Sequence, residues 1–211
     1  MVKIEVEHRG RLTAEKFNDL TKLFSKKAKF ISVKKRFSIV YSNNIEKKSV
    51  REDKDNPIDL KLRVTNGQPE IALKYGKWSG KDARREFGFH IAPEQYEDFI
   101  EFLKILGYDQ AVLMANTKYD YRYHDVEFSL VEVPDWGYYF EAEMLVEENQ
   151  KKAAEKKIDA EVEALGLKVF SEEEFYDLLD ELNNRPGVKI DLSKVETSDL
   201  KKKYGEYFRK E

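Results

Sequence analysis

Cysteine does not occur in this 211-residue chain, which excludes disulfides, thiolate nucleophiles and Cys-ligated zinc together. Histidine is nearly as scarce: His8, His90 and His124 show no ligand spacing, and each reads as a packed or exposed strand residue. No apolar run approaches the roughly 20 residues of a membrane span, and the N-terminus lacks the basic segment and apolar stretch of a signal peptide. The expectation is a soluble cytoplasmic protein with no membrane partner. A basic excess is missing too. Lys and Arg number 38 against 41 Asp and Glu, so the chain as a whole does not read as a nucleic-acid binder. Its Lys-rich stretches at 151–157 and 201–203 read as solvated helix faces. The Pro-Gly site at Pro186-Gly187 lies between helices without strands of their own, so no linker divides the chain.

Aromatics are abundant, with 13 Phe and 12 Tyr, so the 37% of charged residues do not signal disorder. Val2 to Arg9 alternates strictly and reads as a strand; Thr13 then caps a helix carrying Phe17, Leu20 and Phe24 on one stripe. Residues 30–42 read as one or two strands, and 46–57 as an exposed polar loop whose Arg51 and Lys54 read as ordinary exposed residues, with cover of a site opening as the alternative. Asp59 to Val64 and Glu70 to Tyr75 flank Asn66-Gly67, a hairpin signal. Arg84 to Ile91 is a further strand, and Pro93 opens a helix that ends at Gly107. Ala111–Met114, Lys118–His124, Asp125–Val133 and Tyr138–Val146 complete the strands, and Trp78 and Trp136 sit beside glycines as loop packing. A helix follows from Asn149 to Gly166, then a Ser171-to-Glu174 capping box opens another, and a last helix carries Leu200, Tyr204 and Tyr207. The expected organisation is one domain over 1–185 with a helical extension over 186–211 packed on it.

Residues two apart in a strand share a face. Glu5, Glu7 and Arg9 therefore point together, as do Lys61 and Arg63, Arg84 and Glu86, Lys118 and Arg122, and Glu141 and Glu143. The opposite positions hold Ile4, Val6, Leu60, Leu62, Tyr138, Phe140 and Met144. Acids gather on the first and last strands and bases on the middle ones. A sheet of about eight strands can close into a barrel, bringing its first and last strands together. Glu5, Glu7, Glu141 and Glu143 would then converge, and such a cluster either protonates in part or binds a cation. Carboxylates without His or Cys favour magnesium or manganese. Arg9, Lys61, Arg63, Lys74, Arg84, Lys118 and Arg122 supply more positive charge than a monophosphate needs, which points to a triphosphate.

The same residues resemble the CYTH domains, the family that unites class IV adenylate cyclases with thiamine and inorganic triphosphatases in the triphosphate tunnel metalloenzyme fold. Glu5, Glu7 and Arg9 are similar to its Glu-x-Glu-x-Lys signature, with Arg at the third position. Arg63 in DLKLRV, Lys74 in IALKY, Arg84-Arg85-Glu86, the pair Lys118 and Arg122, and LVEVPDWGYYFEAE follow in the family's order. The resemblance covers most of residues 1–182 and implies a closed antiparallel eight-stranded barrel of the α+β class with helices outside. It also implies divalent-metal-dependent hydrolysis of inorganic tripolyphosphate, thiamine triphosphate or a nucleoside triphosphate. Glu5, Glu7, Glu141 and Glu143 would hold Mg2+ or Mn2+, Glu86 would be a tunnel acid, and Lys74 would activate water or protonate the leaving group. Val131 stands where the family carries an Asp ligand, and Glu132 replaces it if a bulge shifts the register. Adenylate cyclisation and a non-catalytic polyphosphate- or nucleotide-binding module are the alternatives, and a homodimer is left open.

Overall fold

The computed structural model describes residues 3–42, 49, 58–76 and 81–209. Arg51, Lys54 and Trp78 lie outside the described residues. In chain order the elements are β1 (Lys3–Leu12), α1 (Ala14–Lys27), β2 (Lys29–Tyr41), β3 (Ile58–Thr65), β4 (Gln68–Tyr75), β5 (Lys81–His90) and α2 (Tyr96–Ile105). β6 (Gln110–Tyr123), β7 (Val126–Val133), β8 (Gly137–Glu147), α3 (Lys151–Ala164), α4 (Glu172–Asn183), β9 (Lys189–Asp191) and α5 (Thr197–Lys203) follow.

Local chemistry accounts for most boundaries. The Thr13 hydroxyl accepts from the Lys16 backbone N–H at 3.1 Å and starts α1. Asn66 and Gly67, with φ of 46° and 77°, make the two-residue β3–β4 turn that needs positive φ at both positions. Ser171 and Glu174 form a reciprocal capping box at the start of α4. The stretches 111–114 and 118–124 are not separate strands. β6 pairs with β2 from Lys29↔Arg122 to Tyr41↔Ala111, so the polar Asn116-Thr117 lie inside one continuous ladder.

The strands pair antiparallel in the order β2-β3-β4-β5-β1-β8-β7-β6, and β2 pairs with β6, so the sheet closes into an eight-stranded barrel. β9 adds to β6 at Gln110–Val112, so a short strand stands where a purely helical extension was expected. Closure gives the strands outer rows that are mostly apolar and inner rows that carry most of the barrel's paired charges. Outside, α1 and α3 cover one side with Phe24, Phe128, Phe140 and Ile158, all fully buried. α2, through Ile100, together with α5 and Tyr207 covers another side over Phe37 and Leu62.

The fourth helix does something different. Its Phe175, Leu178 and Leu182 pack on Val131, Val133 and Tyr139. Those residues belong to the inner rows, because Val131 stands opposite Lys118 and Tyr139. α4 therefore closes one end of the barrel. Gly10 lets the chain reach that position: a Cβ there would lie 1.9 Å from the Lys168 carbonyl oxygen, where the Phe170 N–H bonds Arg9 O at 2.8 Å. Among the described residues no helix is long and apolar enough to cross a membrane.

Candidate functional site

The barrel lumen is lined by alternate residues of all eight strands, and three of its carboxylates converge on the β1–β8 wall. Oxygens of Glu5, Glu7 and Glu143 all lie within 4.8 Å of one another. β1 and β8 bring them together: Glu7 stands directly opposite Glu143, and Arg9 opposite Glu141. Burial, reinforced by Glu5, pushes the Glu143 carboxyl up to about 8, and burial also raises Glu7 against the pull of Arg9 and Lys74. Three acids so placed are under repulsion that a hard divalent cation relieves, and an all-oxygen ligand set suits magnesium or manganese. The residues present fit such an ion.

Glu141 has a different role. It is in salt bridges with Lys118 and, at 3.6 Å, with Arg9. Burial alone would raise its carboxyl, but Lys118 and Arg9 override that and hold it well below the usual range. The four expected ligands thus divide into a tripod of Glu5, Glu7 and Glu143 and a structural acid. Glu132 is a correction. The β7–β8 pairs run without a shift from Glu127↔Glu143 to Val133↔Gly137, leaving no bulge. Glu132 pairs with Tyr138 and Thr117 on the outer face, away from the tripod. Val131 points inward but packs in the apolar plug, so no carboxylate stands at the position where the resemblance implies an Asp ligand.

The bases face the lumen, yet almost every one is already engaged. Arg9 binds Glu7, and Lys74 binds Glu5 with Glu7 at 3.4 Å and Glu86 at 3.6 Å. Lys61 and Arg84 share Asp59 at 2.9 and 3.3 Å. Arg63 joins Glu70 and, at 3.1 Å, Glu86. The segregation of acids to the first and last strands is accordingly incomplete: Asp59, Glu70, Glu86 and Asp120 sit on the basic middle strands. Burial would pull Lys74 down, but Glu7, Glu5 and Glu86 keep its ammonium well above the ordinary lysine range. An ammonium held this firmly can neutralise an anion, and is ill suited either to remove a proton or to give up its own. Arg122 is not brought to the cluster; two residues from the β6–β7 turn, it is exposed and pairs with Glu127 at 3.0 Å.

Sequence reading missed four inward residues. Asp59 was legible, because it shares the alternation of Lys61 and Arg63, and Glu70 likewise precedes Lys74 by an even step. Asp120 lies between Lys118 and Arg122, fully buried with Ser129 at 2.7 Å and Lys34 at 2.5 Å. Arg36 was hidden in the run Lys34-Lys35-Arg36, where consecutive charges mask the face.

No protein-family model matches the chain, and no curated protein matches it. Solved structures do. The PH1819 protein from Pyrococcus horikoshii OT3 is 24% identical, with 84% of this chain and 98% of that one aligned at a TM-score of 0.68. A candidate adenylate cyclase from Vibrio parahaemolyticus is 14% identical over 80% and 91% of the two chains at a TM-score of 0.57. A candidate adenylyl cyclase from Hippeastrum, described as having a dominant triphosphatase activity, is 13% identical over 81% and 90% at a TM-score of 0.53. Likeness at these identities establishes architecture alone, and the architecture is the closed eight-stranded antiparallel barrel.

Proposed function

We propose that the chain binds a triphosphate inside its barrel and hydrolyses it with the help of a divalent cation. The observation that carries this reading is the tripod of Glu5, Glu7 and Glu143 facing a lumen lined by Arg and Lys. Glu5, Glu7 and Glu143 would hold the ion, which when bound supplies Lewis-acid polarisation of phosphate oxygens and orients water. Lys61, Arg63, Arg84 and Lys118 clamp the phosphate chain and neutralise charge that builds on the phosphoryl oxygens. Lys74 remains protonated and neutralises charge on the leaving phosphate. Arg9 ties Glu7 to Glu141 and keeps both carboxylates oriented.

The test is phosphate release and product analysis over tripolyphosphate, thiamine triphosphate and ATP, with magnesium and manganese each supplied. Metal-dependent release of phosphate is the expected result. Cyclic AMP and pyrophosphate from ATP would instead assign cyclisation. A second reading, a binding module without turnover, is favoured by Val131, an apolar residue at an inward position. Tight tripolyphosphate binding with no phosphate release under either metal would select it.

A further inference from the structure

Among the described cations that face the lumen, Arg36 stands apart. Its neighbours each touch a carboxylate, whereas the contact Arg36 makes is from Nε to the Thr65 hydroxyl at 3.1 Å. Glu141, Glu70 and Glu86 act on it through space, but Glu141 is held by Lys118 and Arg9, Glu70 by Arg63, and Glu86 by Arg63 and Lys74. Register fixes its direction: Arg36 stands opposite Thr65 and Asn116, on the row that includes Arg63 and Lys118 and away from the buried outer Phe37 and Ile39. Asn116 is buried, and its Oδ1 has no partner, so the guanidinium does not take the acceptor beside it. The strand order adds the last element. β2 is four strands from β1 in either direction around the barrel, which puts Arg36 on the wall facing Glu5 and Glu7.

Arg36 is half-buried, and a guanidinium drawn partly out of water without a carboxylate is costly unless something anionic meets it. Arginine does not escape that cost by losing its proton. Its terminal N–H groups form a planar fork suited to phosphate oxygens. We propose that Arg36 is a phosphate-contacting residue, gripping from the opposite wall the phosphoryl group that the Glu5–Glu7–Glu143 side engages through its cation. This rests on the triphosphate reading above. Unlike Arg63 or Lys118, Arg36 gives up no ion pair when the anion arrives, so its contribution to binding is undiluted.

Calorimetric titration of the full chain with tripolyphosphate, in the presence of manganese, tests the assignment with Arg36→Gln, Arg36→Lys and Arg63→Gln, each paired with a thermal melt. Arg36→Gln is expected to weaken binding by about 10- to 100-fold, with Arg36→Lys between it and the parent. Without anion Arg36→Gln should melt no lower than the parent, and its stabilisation by tripolyphosphate should shrink. Parent-like binding by Arg36→Gln while Arg63→Gln loses affinity would overturn the role of Arg36 and leave the triphosphate reading standing. A lower melting point of Arg36→Gln without anion would also overturn it, since the side chain would then be structural. Failure of the folded parent to bind tripolyphosphate would bring down both.

Discussion

Glu7 sits where three charges meet: it is almost fully buried, beside Glu5 and Glu143, and balanced by Arg9 and Lys74. Glu7→Gln removes one acid from a repelling group while keeping its shape. Metal-dependent phosphate release should fall by at least about 100-fold, as expected for loss of a group aligning the reacting centre, with the circular dichroism spectrum unchanged. Retained turnover would reassign the ligand. Asp120 makes a prediction about pH. Burial would raise its carboxyl, but Lys118, Lys34 and Ser129 more than offset that and hold it below the ordinary Asp range. A carboxyl depressed on folding contributes stability above its unfolded pKa and loses it as pH falls through the folded one. Asp120→Asn should therefore be less stable than the parent at pH 6, and the gap should narrow below about pH 4 in urea titrations across that range.

At the scale of elements, the helices were largely readable because their caps and apolar stripes are local signals. Thr13, the Ser171–Glu174 box and Pro93 all lie where helices begin. Glu132 could be a ligand only through a bulge in β7, whereas the unbroken alternation puts it outside. The role of α4 was not readable at all: an amphipathic helix advertises a buried face, not which surface it will cover. Its approach depends on Gly10, where the Lys168 carbonyl and the Phe140 ring crowd the place of a side chain. Gly10→Ala should cost about 1–3 kcal/mol, as overpacking does, and lower the urea midpoint. An unchanged midpoint would mean that the segment before α4 can shift without penalty.

For the whole molecule, the lumen is a set of mutual pairings rather than an open basic channel. Arg9 and Lys74 are bound by the same carboxylates, Glu7 and Glu5, that would hold a cation. In the proposed mechanism a cation on Glu5 would free Lys74 for phosphate, and phosphate on Lys74 would free Glu5 for the cation. Binding of the two should thus be cooperative, by the reciprocity that governs any coupled pair of sites. The shift in melting temperature with manganese and tripolyphosphate together should exceed the sum of the separate shifts. Additive shifts would show that the pairings are not exchanged.

Strand alternation, which needs only a two-residue period, let the amino-acid order determine which side chains share a face, so Glu5 with Glu7, Lys61 with Arg63 and Glu141 with Glu143 were assigned without coordinates. It could not determine which of those faces meet across the lumen, which acid satisfies which base, or that Arg36 is left over. Those outcomes depend on barrel closure and on register between strands far apart in the chain, such as β2 with β6, and no local pattern encodes a distance between residues that only folding brings together.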